Sequence, residues 1–236
     1  MRKFFKILFF LLLIGSLALI LEFSGYLYHN DVISKIFYRV EGLDVSHHQI
    51  RINWKKVNKK YKYIIMKATE GKDFLDTDFF YNWNNARING FIVGAYHFFS
   101  MRSSGESQAE YYISKVPVSN KTLPPIIDIE ISTKYTKVKV IKELQRMITK
   151  LESHYKKRVI LYVNYKTYNA FIKGEFLDNP IWITDMKFIP KLAENDRWIM
   201  WQYSSRGRVY GIPGLTDKNV LRKGTVEELI ENSKIN

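Results

Sequence analysis

The chain opens with an apolar block and then changes character. From Phe4 to Leu21 only Lys6, Gly15 and Ser16 interrupt the apolar residues, a length close to the ~20 residues that cross a bilayer as a helix. Beyond Glu41, short β-branched and aromatic runs alternate with longer polar segments, as strands alternate with helices in an α/β domain. The runs predict strands over 42–46, 63–68, 92–98, 126–130, 159–163, 181–184 and 198–203, with a last short strand near 216–220. The segments between them predict helices over 76–89, 107–116, 137–155, 165–173 and 225–232. The clearest apolar spacing falls on Val138, Ile141, Leu144, Ile148 and Leu151. About eight strands with fewer than eight helices predict an irregular TIM-like β/α barrel, preceded by a membrane-spanning or signal helix.

The flanks of the apolar block decide how it is read. Arg2, Lys3 and Lys6 make a positive start, which the positive-inside rule holds in the cytoplasm while the remainder is exported. No small-x-small cleavage site follows: Leu17-Ala18-Leu19-Ile20-Leu21 stays apolar and Glu22-Phe23-Ser24 lacks the required small residues. Residues 1–22 therefore read as a signal-anchor, with a removable signal peptide as the alternative. Residues 23–40 read as a juxtamembrane spacer, or over 26–40 as a first helix of the domain, and 41–236 as the barrel. The expected location is the cell envelope: a single-pass anchor with the barrel outside the cytoplasm, or secretion if the segment is cleaved.

Composition narrows the class. A 46% hydrophobic fraction with 15% aromatics excludes a disordered chain. Lys and Arg number 37 against 23 Asp and Glu, a formal charge of +14, which favours polyanionic surroundings such as cell wall or membrane surface. The basic residues form only short clusters, such as Lys156-Lys157-Arg158, with no nucleic-acid motif, so no nucleic-acid partner is expected. The absence of cysteine rules out disulfides and thiol chemistry.

Reactive groups of a β/α barrel sit at the carboxyl ends of its strands. Asp44 closes the first predicted strand, Glu70 follows the second, His97 ends the third, Asp128 and Glu130 end the fourth, and Gln202 ends the seventh. Asp128-Ile129-Glu130 is the most informative triplet. Residues i and i+2 of a strand share one face, roughly 6.5–7 Å apart. Ile126, Ile127 and Ile129 argue that this strand is buried. Two carboxyls in one partly buried space repel, so one holds a proton while the other ionises, the division of labour that glycoside hydrolysis uses.

Those residues belong to an ordered series: Gly42-Leu43-Asp44-Val45-Ser46, Trp54, Lys67-Ala68-Thr69-Glu70-Gly71, Gly94-Ala95-Tyr96-His97-Phe98, Pro125 to Glu130, Trp201-Gln202-Tyr203, and Gly211-Ile212-Pro213-Gly214 with Asp217 and Asn219. The series resembles glycoside hydrolase family 25, the Chalaropsis-type lysozymes, over Glu41 to near Ile230. The resemblance implies a barrel that cleaves the β-1,4 bond between N-acetylmuramic acid and N-acetylglucosamine in peptidoglycan glycan strands, without cofactor or metal. It implies Glu130 as general acid, Asp128 as its strand partner, and Asp44 and Asp217 as further acids at the mouth. Asp128 then stabilises the substrate's own acetamido group rather than attacking the sugar.

Further candidates stand beside alternatives. Glu70 shapes the substrate groove or ion-pairs with Lys67, and His97 is a site residue or a hydrogen-bonded core histidine. Tyr96, Tyr162, Trp182 and Trp201 offer faces for sugar stacking or pack in the core, while Gln202 points to substrate binding. His47-His48 lacks a third metal ligand, and neighbours on a strand point to opposite faces. The sequence departs from the family where His47-His48-Gln49-Ile50 replaces a Trp followed by Gln-Gly, and where Trp182-Ile183-Thr184-Asp185 replaces a Trp-Ile-Ala followed by an aromatic. A chitinase-like hydrolase and a non-catalytic wall-binding barrel are the competing functions. A monomer is expected.

Overall fold

The computed structural model describes residues 2–26, 28–192 and 198–235. Its centre is a closed barrel of eight strands: β1 (Glu41–Val45), β2 (Tyr61–Glu70), β4 (Ile92–Phe98), β5 (Ile126–Asp128), β6 (Ile160–Val163), β7 (Ile181–Thr184), β8 (Trp198–Gly207) and β9 (Thr216–Leu221). A two-residue strand, β3 (Phe74–Leu75), pairs only with β2. Neighbours pair in parallel from β1 through β8, skipping β3, and β9 closes the ring antiparallel to both β8 and β1. Seven α-helices lie among the described residues: α1 (Arg2–Ser24), α2 (His29–Phe37), α3 (Phe79–Ile88), α4 (Gly105–Lys115), α5 (Lys137–Tyr155), α6 (Tyr165–Thr167) and α7 (Val226–Asn232).

Strand parity divides the apolar residues into two cores. Leu43, Val45, Ile64, Met66, Ile127, Leu161 and Ile183 point outward against the helices. Tyr63, Ile65, Ile126, Ile160, Trp182 and Met200 fill the barrel. The inner filling is tight: a Cβ on Gly42 would stand 2.2 Å from the Tyr63 ring, so only glycine lets that ring cross under β1.

Strands β4 and β7 and helix α5 run over the residues expected from sequence. The buried stripe of α5, however, is Val140, Leu144, Met147, Ile148, Leu151 and Tyr155. Val138 is 79% exposed, because it lies off the face that the later residues define. The segment 165–173 is helical only as far as Thr167. It then widens to a π turn over Tyr168–Ile172, which buries Tyr168, Phe171 and Ile172.

The first two helices differ in kind. α1 is apolar on every side and has no buried residue, and by length and composition it is able to cross a membrane. α2 buries its polar residues Asn30, Asp31 and Ser34 and packs against β8. Asp31 meets the Lys218 ammonium at 2.8 and 3.1 Å, and the Tyr203 hydroxyl at 3.3 Å. Asn30 donates to the carbonyls of Met186 and Tyr203.

Candidate active site

A cavity of about 220 Å³ opens at the carboxyl end of the parallel strands, lined by Asp44, Tyr96, Asp128, Glu130, Tyr162, Trp182, Gln202, Ser205 and Asp217. The expected acids, four in number, thus converge. Parity explains how. Asp44 follows the inward Gly42 by two residues, Asp128 follows Ile126, and Glu130 continues beyond the end of β5 on the same side. Asp217 is the direct cross-strand partner of Asp44 in the β1–β9 ladder.

Like charges directly opposite one another destabilise a sheet, so Asp44 and Asp217 settle the conflict by sharing a proton. Burial, the Asp44 charge and the hydrogen bond between the two raise Asp217 to about 9. Burial also raises Asp44, although donors partly hold it down: Asn219 Nδ2 at 2.6 Å, Gln202 Nε2 at 3.0 Å, and the Asp217 carboxyl. Those donors are themselves fixed. The Tyr162 hydroxyl donates to Gln202 Oε1 at 2.8 Å, and Trp182 Nε1 donates to Asn219 Oδ1 at 2.9 Å. The chain of bonds sets both amide orientations and aims their N–H groups at Asp44.

Asp128 and Glu130 are unequal. Asp128 is buried, and its Oδ1 meets no hydrogen-bond partner in the protein. Desolvation raises its pKa well above the carboxylate range, the Glu130 and Asp44 charges add to this, and Lys67 pulls the other way. Glu130 opens to solvent at the rim, where partial desolvation and then Asp44 raise it from its ordinary value. All four carboxyls are thus raised above their ordinary values, Asp217 to about 9, and Asp128 keeps an oxygen free to accept from a ligand.

The other expected residues divide by parity. Tyr96 lines the cavity and is only partly buried, so part of its ring reaches the space. Tyr162 and Trp182 pack edge to face, 4.5 Å between centroids, and are nearly wholly covered, forming the floor. His97, Trp201 and Glu70 lie outside the cavity lining. His97 points outward between Thr69 Oγ1 (2.7 Å) and Gln108 Oε1 (3.0 Å), and burial lowers its pKa to about 4. Trp201 is fully buried in the outer core and donates to the Asp185 carbonyl. Glu70 pairs with Lys67 at 2.7 Å. His47 pairs with Asp76 at 2.7 Å, and no metal-holding group of three His, Cys, Asp or Glu exists among the described residues.

Two residues of the site had no role assigned from sequence. Asn219 stood in the ordered series beside Asp217, two residues away on one strand, but only as part of the pattern. Ser205 was not marked at all, because register breaks between Gln202 and Gly207 re-aim the end of β8.

Known proteins resemble this chain in sequence and fold. The sequence pattern of "Glycosyl hydrolases family 25" matches residues 43–212, which include Asp44, Asp128 and Glu130. "Lysozyme M1" of Streptomyces globisporus is 33% identical over 196 residues, covering 76% of this chain and 67% of that protein. The Escherichia coli protein YegX is 34% identical over 200 residues, covering 81% and 72%. Among solved structures, a family 25 glycosyl hydrolase from Bacillus anthracis superposes with a TM-score of 0.77 at 38% identity, covering 84% of this chain and 94% of that one. The bacterial lysozyme from Streptomyces coelicolor superposes with a TM-score of 0.75 at 29% identity, covering 82% and 97%. A match over most of the barrel, together with the convergence of its acids, means that the chain belongs to glycosyl hydrolases family 25 and is a glycosidase.

Proposed function

We propose that this glycosidase is a peptidoglycan hydrolase of the lysozyme type, cutting the β-1,4 bond between N-acetylmuramic acid and N-acetylglucosamine. The observation that carries the reading is the unequal pair at the end of β5: a rim carboxyl with a raised pKa beside a buried carboxyl whose Oδ1 lacks a partner. Glu130 gives its proton to the leaving glycosidic oxygen as the bond to the anomeric carbon breaks. The carbonyl oxygen of the 2-acetamido group on the same sugar attacks that carbon from the opposite face, forming a cyclic cation. Asp128, as carboxylate, accepts a hydrogen bond from the acetamido N–H through its otherwise unpartnered Oδ1 and balances the positive charge. Water then opens the ring, and Glu130 takes up the proton it releases, so configuration is retained. Asp44 and Asp217 hold the opposite wall, while Tyr96 offers a sugar contact.

Lysozymes among the similar proteins support the substrate class. The apolar, unburied α1 supports an anchor that leaves the barrel outside the cytoplasm. The test is incubation of the full chain, in detergent, with purified peptidoglycan, wild type beside Glu130→Gln, followed by identification of the new reducing ends. Muramic acid ends from wild type alone are expected. N-acetylglucosamine ends, as a chitinase-like or glucosaminidase reading requires, or equal activity in the variant, would overturn the assignment. A trapped glycosyl-Asp128 adduct would reject the acetamido route while leaving the hydrolase intact.

A further inference from the structure

The apolar helix and the cleft meet at one end of the barrel. α1 stands clear of the body for most of its 23 residues, and its last turn is gripped. Arg206 donates to the Phe23 carbonyl at 3.1 Å and Arg208 to the Ser24 carbonyl at 2.7 Å. A helix C-terminus leaves these carbonyls without internal donors. Gly25 follows at φ 77, with the Arg206 carbonyl oxygen 1.9 Å from where a Cβ would stand, so the crossing excludes any side chain. The His29 ring then spans Glu22 Oε1 (2.6 Å) and the Lys187 carbonyl (3.0 Å). Burial opposes a charged ring, but both partners accept, and together they raise its pKa above the ordinary value.

The barrel side of this junction is the catalytic rim. Met186 and Lys187 follow the carboxyl end of β7, and Arg206 follows Ser205, which lines the cavity. Neighbouring residues thus serve the two sites: Gln202 and Asp217 face the cleft while Tyr203 and Lys218 face α2. One strand residue, ~3.3 Å of chain, separates cavity wall from anchor contact.

The surface around the exit has the composition of a membrane boundary. Tyr26, Phe188 and Leu215 are exposed, and Leu215 lies beside Gly25. Arg206 and Arg208 lie over the rings of Phe23 and Tyr26. The nearby acids are engaged: Glu22 by His29, Asp31 by Lys218, and Asp185 by the N–H groups of Lys187 and Phe188. Aromatic and basic side chains at the end of a spanning helix favour the headgroup layer.

We propose that the rim around Phe188, Arg206, Arg208 and Leu215 rests on the outer face of the bilayer that α1 spans. The cleft then opens beside the membrane and takes glycan held at the membrane surface rather than remote layers of wall. This rests on the peptidoglycan reading for its substrate and on a retained α1 for its geometry.

The chain contains no cysteine, so single cysteines introduce unique labels. Full chains carrying Phe188→Cys, Leu215→Cys or Ile88→Cys, each with a fluorophore, are reconstituted into vesicles of phosphatidylethanolamine and phosphatidylglycerol containing headgroup-nitroxide lipid. Ile88 ends α3 at the opposite end of the barrel and is 81% exposed. Expected is loss of fluorescence at 188 and 215 and none at 88. Equal quenching at all three, or none at any, overturns the proposal. In parallel, reconstituted wild type is offered glycan polymer carried on lipid in the same vesicles, and free sacculi. Faster cleavage of the vesicle-borne polymer supports the proposal, and a preference for free sacculi overturns its substrate half. Activity on sacculi in detergent reads the hydrolase assignment separately, so failure there leaves the quenching result to decide apposition alone. Recovery from the envelope of a chain trimmed after α1 would also refute the geometry.

Discussion

Truncating Asp31 is the sharpest test of how α2 is held. The Asp31 and Lys218 side chains are 12% and 10% exposed, and Nζ lies within hydrogen-bond reach of both carboxylate oxygens. Asp31→Ala leaves the ammonium buried without its counter-charge, and removing one partner of such a pair costs about 3–5 kcal/mol. The lost contact with the Tyr203 hydroxyl, long at 3.3 Å, adds at most about 0.5 kcal/mol. Against a total stability of about 5–15 kcal/mol this is a large share. At ~2–4 °C per kcal/mol for a domain of this size, Tm falls by roughly 6–20 °C. The assay is thermal unfolding of the full chain in detergent, followed by near-ultraviolet circular dichroism of the barrel's tryptophans. The double variant Asp31→Leu with Lys218→Met removes both charges and is expected to recover much of the loss. A fall below about 1 kcal/mol, the value of an exposed pair, would refute the reasoning, since it would mean that α2 does not seal Lys218 from water.

Three further outcomes follow from the site and its loops. Glu130→Gln is expected to lower turnover on peptidoglycan about 10²–10⁴-fold, while its melting midpoint stays close to wild type because the side chain stands at the open rim. Asp217 is raised from 3.8 to about 9, so between those values the folded state holds a proton that the unfolded chain has released, and stability from this group falls as pH rises. Asp217→Asn removes that slope. Urea midpoints are expected to show the variant gaining on wild type from about pH 4 to about pH 8, and a variant losing ground over this range would contradict the shared-proton assignment. Ile50, 67% exposed, adopts φ 52 and ψ −151, a region that favours glycine. Relief of about 1–3 kcal/mol of strain exceeds the ~0.5–1 kcal/mol entropic cost of glycine, so Ile50→Gly is expected to raise Tm, and a lower Tm would place the strain elsewhere.

Much of the site was readable because one rule governs it. Alternation along a strand put Asp128 and Glu130 on one face, and the cavity holds both. The same rule, applied strictly, separates Tyr96 from His97 and Gln202 from Trp201: within each pair one residue lines the cleft and its neighbour enters the outer core. Position at a strand end nominated His97 and Gln202, and an aromatic ring nominated Tyr96 and Trp201, whereas parity discriminates within each pair. The rule fails where the ladder slips. Ser205 reaches the cavity through the irregular end of β8, and no alternation in the sequence announces a bulge.

Helix α2 escaped for a different reason. Its composition is polar, yet Asn30, Asp31 and Ser34 are the residues it buries. Their partners, Met186, Tyr203 and Lys218, lie more than 150 residues away, so no local pattern marks the packed face. Residues 26–40 thus fitted a spacer or a helix equally well from sequence. The physical consequence reaches the chemistry. Tyr203 and Lys218 are the outward neighbours of Gln202 and Asp217, so the side chains that dock α2 lock the strands that carry one wall of the cleft. A mutation that loosens α2 is therefore expected to disturb the Asp44–Asp217 proton before it unfolds the barrel, visible as a shift in the pH profile of turnover at temperatures where the circular dichroism is unchanged. An unaltered profile in Asp31→Ala would mean that the β8–β9 wall keeps its geometry without the helix.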